Sequence, residues 1–302
     1  MLTRSNLYVE LILFVVAFFW GVNPAVMKLG MADIPVLSYN AARLLVAVMG
    51  AWIAVGISKT YHPIDREDYK KLFMVSAVGF FLFQYLFSMG VQLTTAGNSS
   101  LLLALLPVSV ALINWVLRLE KISFMMSLGI LFSLFGVVLI IVGSGKKLSL
   151  SSEHLIGALY LLGAQAFYGY YTIFSKDLLN KYSSYLISAW IFTITTTIFF
   201  IPACYEMIHL NWSRISLTGW LSTVFSGAFP LCIGNFLWIW GTGKIGSTKA
   251  SLYNNIAPIF AVASGYVLLN ETFSLVQFSG AAVIFFGLYL TRIKKAAIFS
   301  RS

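Results

Sequence analysis

Stretches of about twenty apolar residues alternate along this chain with short polar breaks, and a helix of that length crosses the ~30 Å hydrocarbon core of a bilayer. In the first half they fall at 7–29, 35–57, 72–92, 96–117 and 123–143. In the second half they fall at 155–175, 184–205, 216–240, 247–269 and 274–292. The pattern predicts an all-α integral membrane protein of ten transmembrane helices. The longest polar connections run from Ser58 to Lys71 and from Glu206 to Arg214, too short for a separate soluble domain. The first run, Leu7 to Gly30, is longer than the apolar region of a signal peptide and leads directly into further spans, so it reads as a retained first helix.

Composition agrees and adds direction. Hydrophobic residues make up 59% of the chain and charged residues 10%, against roughly 25% charged in a soluble domain. The net charge of +10 is scattered between apolar runs instead of forming a stripe, which argues against nucleic acid as a partner and for orientation in the bilayer. Alternating the loops from side to side leaves Lys28, Lys146, Lys147 and Arg214 on one face, with Arg43 inside a span. The other fifteen of the 20 Lys and Arg residues share the face of both termini. By the positive-inside rule the termini are cytoplasmic, and an odd number of spans would spoil the fit. Cys204 and Cys232 fall in apolar runs without metal-ligand spacing and read as small buried hydrophobes.

The chain also repeats itself. A shift of 148 places Trp20 on Tyr168, Gly21 on Gly169 and Lys28 on Lys176. A shift of 151 places Gln84 on Asn235, Gly90 on Gly241, Ser100 on Ser251, Pro107 on Pro258, Glu120 on Glu271, Gly129 on Gly280 and Gly136 on Gly287. The implied units are residues 1–148 and 149–302. Five spans per unit is an odd number, so equivalent helices cross the membrane in opposite senses. Such inverted repeats recur in secondary transporters, with the substrate near the midplane between the halves. Duplication retained only for packing is the alternative.

Several stretches resemble the EamA-type branch of the drug/metabolite transporter superfamily. They are Trp20-Gly21-Val22-Asn23-Pro24-Ala25-Val26-Met27-Lys28, Arg43 in the second span, and Thr95-Ala96-Gly97-Asn98-Ser99-Ser100-Leu101-Leu102. Leu106-Pro107 and Leu119-Glu120 follow, echoed by Ala257-Pro258 and Asn270-Glu271. The resemblance covers essentially the whole chain, twice. It implies a ten-helix fold around a central cavity, and exporters of amino acids or related metabolites are prominent in that family. Tyr168 replaces the Trp often seen in the second-half motif, and Lys249 stands opposite Asn98.

Arg43 is the sharpest anomaly, about nine residues into its span and roughly 13 Å deep at 1.5 Å per residue. A charge there costs on the order of 2.5–3.5 kcal/mol, so it needs a wet or paired interior. It either binds an anionic group such as a substrate carboxylate, anchors a gate, or pairs with helix carbonyls or with Glu10. The remaining candidates are hydrogen-bonding and aromatic. Trp20 and Asn23 lie three apart on one helix face, with Tyr168 and Tyr171 equivalent by repeat. Gln84 with Tyr85 and Asn235 with Trp238 form a second related set, and Tyr253, Asn254 and Asn255 precede Pro258. Uncharged polar groups between aromatic walls suit a small amphipathic or zwitterionic solute. The same groups also serve ordinary helix packing.

Pro24, Pro107 and Pro258 are hinge or gate candidates, since proline frees a carbonyl at membrane depth. Gly129 with Gly136, and Gly280 with Gly287, permit close packing, and Glu120 and Glu271 end their spans as interfacial or capping carboxylates. Nothing points to an enzyme. His62, His154 and His209 lie far apart in or beside loops, and no Walker loop, HExxH or Gly-x-Ser-x-Gly occurs, so no cofactor or metal is implied. The predicted function is secondary transport of small metabolites such as amino acids, in the export direction, by alternating access across the inner membrane. A membrane scaffold or accessory subunit is the alternative. Proton coupling stays open, with Glu10 the only deep-leaning carboxylate.

Overall fold

A computed structural model describes residues 4–118, 123–143, 153–245, 253 and 255–299. All regular structure among these residues is helical. In order come α1 (Arg4–Met31), α2 (Val36–Ser58), α3 (Tyr69–Met74), α4 (Leu82–Leu93), α5 (Ala96–Leu103), α6 (Leu106–Val116) and α7 (Phe124–Gly143). They are followed by α8 (Glu153–Phe174), α9 (Lys176–Lys181), α10 (Ser184–His209), α11 (Leu217–Ser226), α12 (Gly234–Ile245), α13 (Ala257–Leu269) and α14 (Leu275–Phe299).

Among the described residues, seven stretches are long and apolar enough to cross a membrane: Leu7–Met31, Val36–Ser58, Arg66–Leu93, Ala96–Val116, Phe124–Gly143, Ser184–His209 and Leu217–Gly241. Ala257–Leu269 and Leu275–Thr291 are shorter apolar helices. The helix α8 has the length, with 22 residues, but carries too many polar side chains to join the seven. Its tyrosines and Gln165 are what lower its hydropathy. This is a multi-pass membrane protein.

Several predicted spans are not uniform helices. Two contain a π-helical turn, Val75–Phe81 between α3 and α4 and Gly227–Ile233 between α11 and α12. Such turns concentrate at functional sites because they shift the side chains after them around the helix. The 96–117 stretch breaks at Ala104–Leu105 between α5 and α6. The cause is Pro107, whose ring cannot sit beside the carbonyl four residues earlier, that of Leu103. In the 247–269 stretch α13 begins at Ala257, after a turn at 255–256, with Pro258 again in the first turn. A proline in that position costs nothing, because its missing N–H would have no partner there. Pro107 and Pro258 therefore start helices instead of kinking them, while Pro24 lies inside the unbroken α1.

Packing joins early helices to late ones. The helix α7 lies along α14, α2 along α10, α4 along α8, α1 against α11, α12 and α13, and α5 against α13. The α7–α14 contact is the most extensive, and four paired glycines let the two backbones approach closely. A Cβ on Gly136 would stand 2.7 Å from the Gly280 carbonyl oxygen, and one on Gly129 2.5 Å from that of Gly287. With no hydrophobic drive between helices in lipid, this backbone approach supplies the attraction. Gly136→Val is therefore expected to lower the melting midpoint of the detergent-solubilised protein, with a destabilisation on the order of 1–3 kcal/mol. A matched change at Leu131, 63% exposed on the same helix, is the control and should leave the midpoint unmoved.

Candidate functional site: a cavity between the halves

Between these packed pairs lies a cavity of about 140 Å³. A dry cavity of ~150 Å³ accepts a benzene-sized molecule, so the space suits a compact solute. Its walls come from α1 (Trp20, Asn23), α2 (Arg43), the first π turn and α4 (Phe80, Phe83, Gln84, Phe87) and the broken α5–α6 (Ser100, Leu103, Ala104, Leu106). The far side is built by α8 (Gln165, Tyr168), α10 (Phe192), the second π turn and α12 (Pro230, Leu231, Asn235, Trp238) and α13 (Ala257). Both π turns and the α5–α6 break contribute to this lining.

Arg43 has no exposed surface to solvent and makes no ion pair among the described residues. Its Nε donates to Asn40 Oδ1, its Nη2 to Gln84 Oε1, and its Nη1 to Ser226 Oγ at 3.1 Å. Ser226 in turn donates to Asn23 Oδ1 at 2.7 Å, and Asn40 Nδ2 to the Gln84 carbonyl at 3.3 Å. The guanidinium carbon also stands 5.7 Å from the centre of the Phe87 ring, within cation–π range. The network orients the charge without neutralising it. Each terminal nitrogen keeps an N–H uncommitted to these bonds. Gly227 is required behind it, since a Cβ there would stand 2.3 Å from the Arg43 carbonyl oxygen.

Aromatic rings form the remaining walls. Trp20 donates from Nε1 to the Pro230 carbonyl at 3.0 Å and packs on Trp238 with centroids 5.1 Å apart. Tyr168 stacks on Phe83 at 4.4 Å and is backed by Tyr171 at 5.5 Å. Asn235 is held by a 3.2 Å bond from its Nδ2 to Ser188 Oγ. The carbonyl of Leu103, freed by Pro107, accepts from Gln165 Nε2 at 2.8 Å.

Seven of the residues singled out from sequence thus line one cavity: Trp20, Asn23, Arg43, Gln84, Tyr168, Asn235 and Trp238. Others lie elsewhere. Tyr85 follows Gln84 by one position, which turns it about 100° away, and it packs against Phe81 and Phe199. Tyr171 stands one layer behind Tyr168, against Phe80. Tyr253 packs near Val9 and Leu13 and bonds with Glu10, so Glu10 is not the partner of Arg43. Asn254, Glu120 and Lys249 lie outside the described residues. Asn40, Ser226 and Gln165 were not picked out from sequence. The spacing of Asn40 and Arg43, three apart on one face, is a signal for the first, whereas Gln165 has Ala17 at its repeat-equivalent position and no duplication to mark it.

Asn98 belongs to a latch outside the cavity. Its Oδ1 accepts from Gln277 Nε2 at 2.9 Å, and both oxygens of Glu271 accept from the Ala96 N–H, at 3.0 and 2.9 Å, at the start of α5. Lys28 Nζ donates to the Thr94 carbonyl at 2.6 Å and stands 3.7 Å from Glu271. Glu271 therefore caps a helix from a distant part of the chain. Glu271→Ala is expected to cost on the order of 1 kcal/mol, read as a lower melting midpoint that Glu271→Gln partly restores. A second set of bonds ties α9 to the chain before α4: Lys71 pairs with Asp177, and Lys181 with Asp68 at 3.0 Å. The Lys71 ammonium holds the Asp177 carboxyl below its usual range, and Asp68 pushes Lys181 above its own.

Comparison with known proteins fixes the family. The EamA-like transporter family model matches residues 7–142 and again 155–293. The chain belongs to the EamA-like transporter family. An uncharacterized transporter of Bacillus subtilis, YetK, is 28% identical over 91% of this chain and 84% of its own length. A probable terminal-alkyne amino-acid exporter of Streptantibioticus cattleyicolor is 26% identical over 83% of this chain and 82% of its own. A solved crystal structure with 18% identity matches 98% of this chain and 99% of its own with a TM-score of 0.66, which bears on the fold alone. This EamA-family chain is a transporter by family, and transport is not an enzymatic activity.

Proposed function

We propose that this protein is a secondary transporter exporting small carboxylate-bearing metabolites, amino acids foremost, across the cytoplasmic membrane by alternating access. The observation that carries the reading is Arg43, a charge buried in the cavity wall, hydrogen-bonded only to neutral groups and still holding N–H groups to offer. A carboxylate is the natural partner of such a fork. The relative named as an amino-acid exporter supports the substrate class.

The reading takes the chain as ten transmembrane helices in two inverted repeats, residues 1–148 and 149–302, with both termini cytoplasmic. Three features support that architecture. The family model matches twice, once in each half. The π turns begin 152 residues apart, at Val75 and Gly227 (227 against 75). The α7–α14 and α2–α10 contacts each join a helix to its equivalent by repeat. In the same account Trp20, Asn23, Gln84, Tyr168, Asn235 and Trp238 contact the solute. Tyr85, Tyr171 and Asn98 support the walls and the latch, and the helix breaks at Pro107 and Pro258 absorb movement.

The test is flux into liposomes that contain only this protein. Saturable counterflow of a radiolabelled amino acid is expected, and a scaffold would give none. Among the described residues that line the cavity, Arg43 is the sole Lys, Arg, His, Asp or Glu, so these walls offer no carboxylate or imidazole to carry a proton. Counterflow is accordingly expected to be unchanged when a pH gradient is imposed, and a gradient-driven accumulation would oppose facilitated transport.

A further inference from the structure

Three buried side-chain polar atoms lack a hydrogen-bond partner among the described residues: Ser133 Oγ, Trp190 Nε1 and Gln165 Oε1. The first stands in the α7–α14 contact, and the second belongs to a ring packed edge-on against Trp52. Only the third belongs to the cavity lining. Gln165 is 1% exposed, so bulk water does not reach it, and an unpaired buried acceptor is costly.

The direction of its amide is fixed by its neighbour. The Leu103 carbonyl can only accept, so the amide group facing it at 2.8 Å must be the NH₂. The free atom is therefore the oxygen. A ligand that completes it must bring an N–H or O–H. The same cavity offers the uncommitted N–H groups of Arg43, which seek an acceptor of negative charge. One wall donates and another accepts.

Resting on the proposed function, we infer that Gln165 Oε1 receives the ammonium of an amino acid whose carboxylate is held by Arg43, and so makes the carrier select amino acids over the same acids lacking the amino group. The substrate class narrows from carboxylates to zwitterions. A site built to accept a substrate N–H discriminates against analogues without it, because the buried acceptor then stays unpaired. Pro107 is part of the device, since it frees the carbonyl that holds the amide in place.

The experiment measures ligand-induced thermal stabilisation of the purified full-length protein, with the twenty standard amino acids as probes. Leucine and phenylalanine are each paired with the desamino acid, 4-methylpentanoate or 3-phenylpropanoate. In the wild type, at least one amino acid is expected to bind, with about ten- to a hundredfold preference over its desamino partner. Gln165→Leu should collapse that ratio towards one, and Gln165→Glu, which keeps an acceptor oxygen, should retain it. The ratio is internal to each variant, so a general loss of stability does not imitate the effect, and if Gln165→Leu does not fold, Gln165→Asn, with its oxygen withdrawn, takes its place. A Gln165→Leu variant that keeps the wild-type ratio overturns the inference while leaving the carboxylate site at Arg43 standing. Equal binding of leucine and 4-methylpentanoate by the wild type, lost in Arg43→Met, has the same meaning. Stabilisation by no amino acid and no desamino acid overturns both readings.

Discussion

Arg43→Ala is expected to bring amino-acid counterflow in proteoliposomes down to that of protein-free vesicles, a loss on the order of a hundredfold or more. The size follows from removing two charge-assisted hydrogen bonds to a carboxylate inside a wall shielded from water. The protein should still reach the membrane and elute as a single species. Asn40, Gln84 and Ser226 lose a donor, but the vacated space adjoins the cavity that Arg43 and Gln84 line, and water can enter it. Arg43→Lys should recover only part of the flux, since an ammonium cannot reproduce the planar fork that Asn40, Gln84 and Ser226 hold in place. Wild-type counterflow from Arg43→Ala would remove this residue from the substrate site.

The second large effect is steric. Ala104 sits in the break between α5 and α6, buried at 3% exposure and part of the cavity lining. Ala104→Trp would place an indole in a space of about 140 Å³ and leave little room for a solute. Counterflow is expected to fall to background. Ile53, 61% exposed on α2 away from the cavity, gives the comparison: Ile53→Trp should transport as the wild type does. Circular dichroism and melting midpoints of both variants separate a plugged cavity from a misfolded protein. A fully active Ala104→Trp would show that the solute passes elsewhere.

Much of this architecture was legible from periodicity, because a bilayer forces apolar residues into helices of fixed minimum length. The breaks were legible only in part. Pro107 announced that a carbonyl would be released, but not that α5 and α6 would separate at Ala104–Leu105 or that Gln165 would claim the Leu103 carbonyl. That bond links residues 62 positions apart, and no local pattern encodes it. Likewise the π turns carry no composition that distinguishes them from α-helix. Phe80, Phe83, Gln84 and Phe87, by contrast, reach the cavity at the spacing of one ordinary helix face.

The site was readable where polarity was duplicated. Gln84 with Asn235, and Trp20 with Tyr168, share positions across the repeat and meet in the cavity. Adjacent picks failed for a geometric reason: Gln84 and Tyr85 cannot face the same way on one helix. Arg43 was visible as an intramembrane charge, yet its partners were not, because Ser226 comes from the other half and Glu10 looked the more natural counter-ion. Gln165 escaped because no duplicated polar residue marks it, its repeat equivalent being Ala17. The polarity of α8 as a whole was the available signal, since that 22-residue helix is not among the stretches apolar enough to cross a membrane.

One labelling experiment bears most directly on the claim that a single cavity serves both faces of the membrane. Ser100, which lines the cavity, is replaced by cysteine in a protein whose Cys204 and Cys232 have been replaced by alanine. A membrane-impermeant thiol reagent is then applied to right-side-out and to inside-out vesicles. The account predicts that Ser100→Cys reacts in both preparations and that a bound amino acid slows the reaction in each. Reaction from one face only, with or without the amino acid, would contradict it.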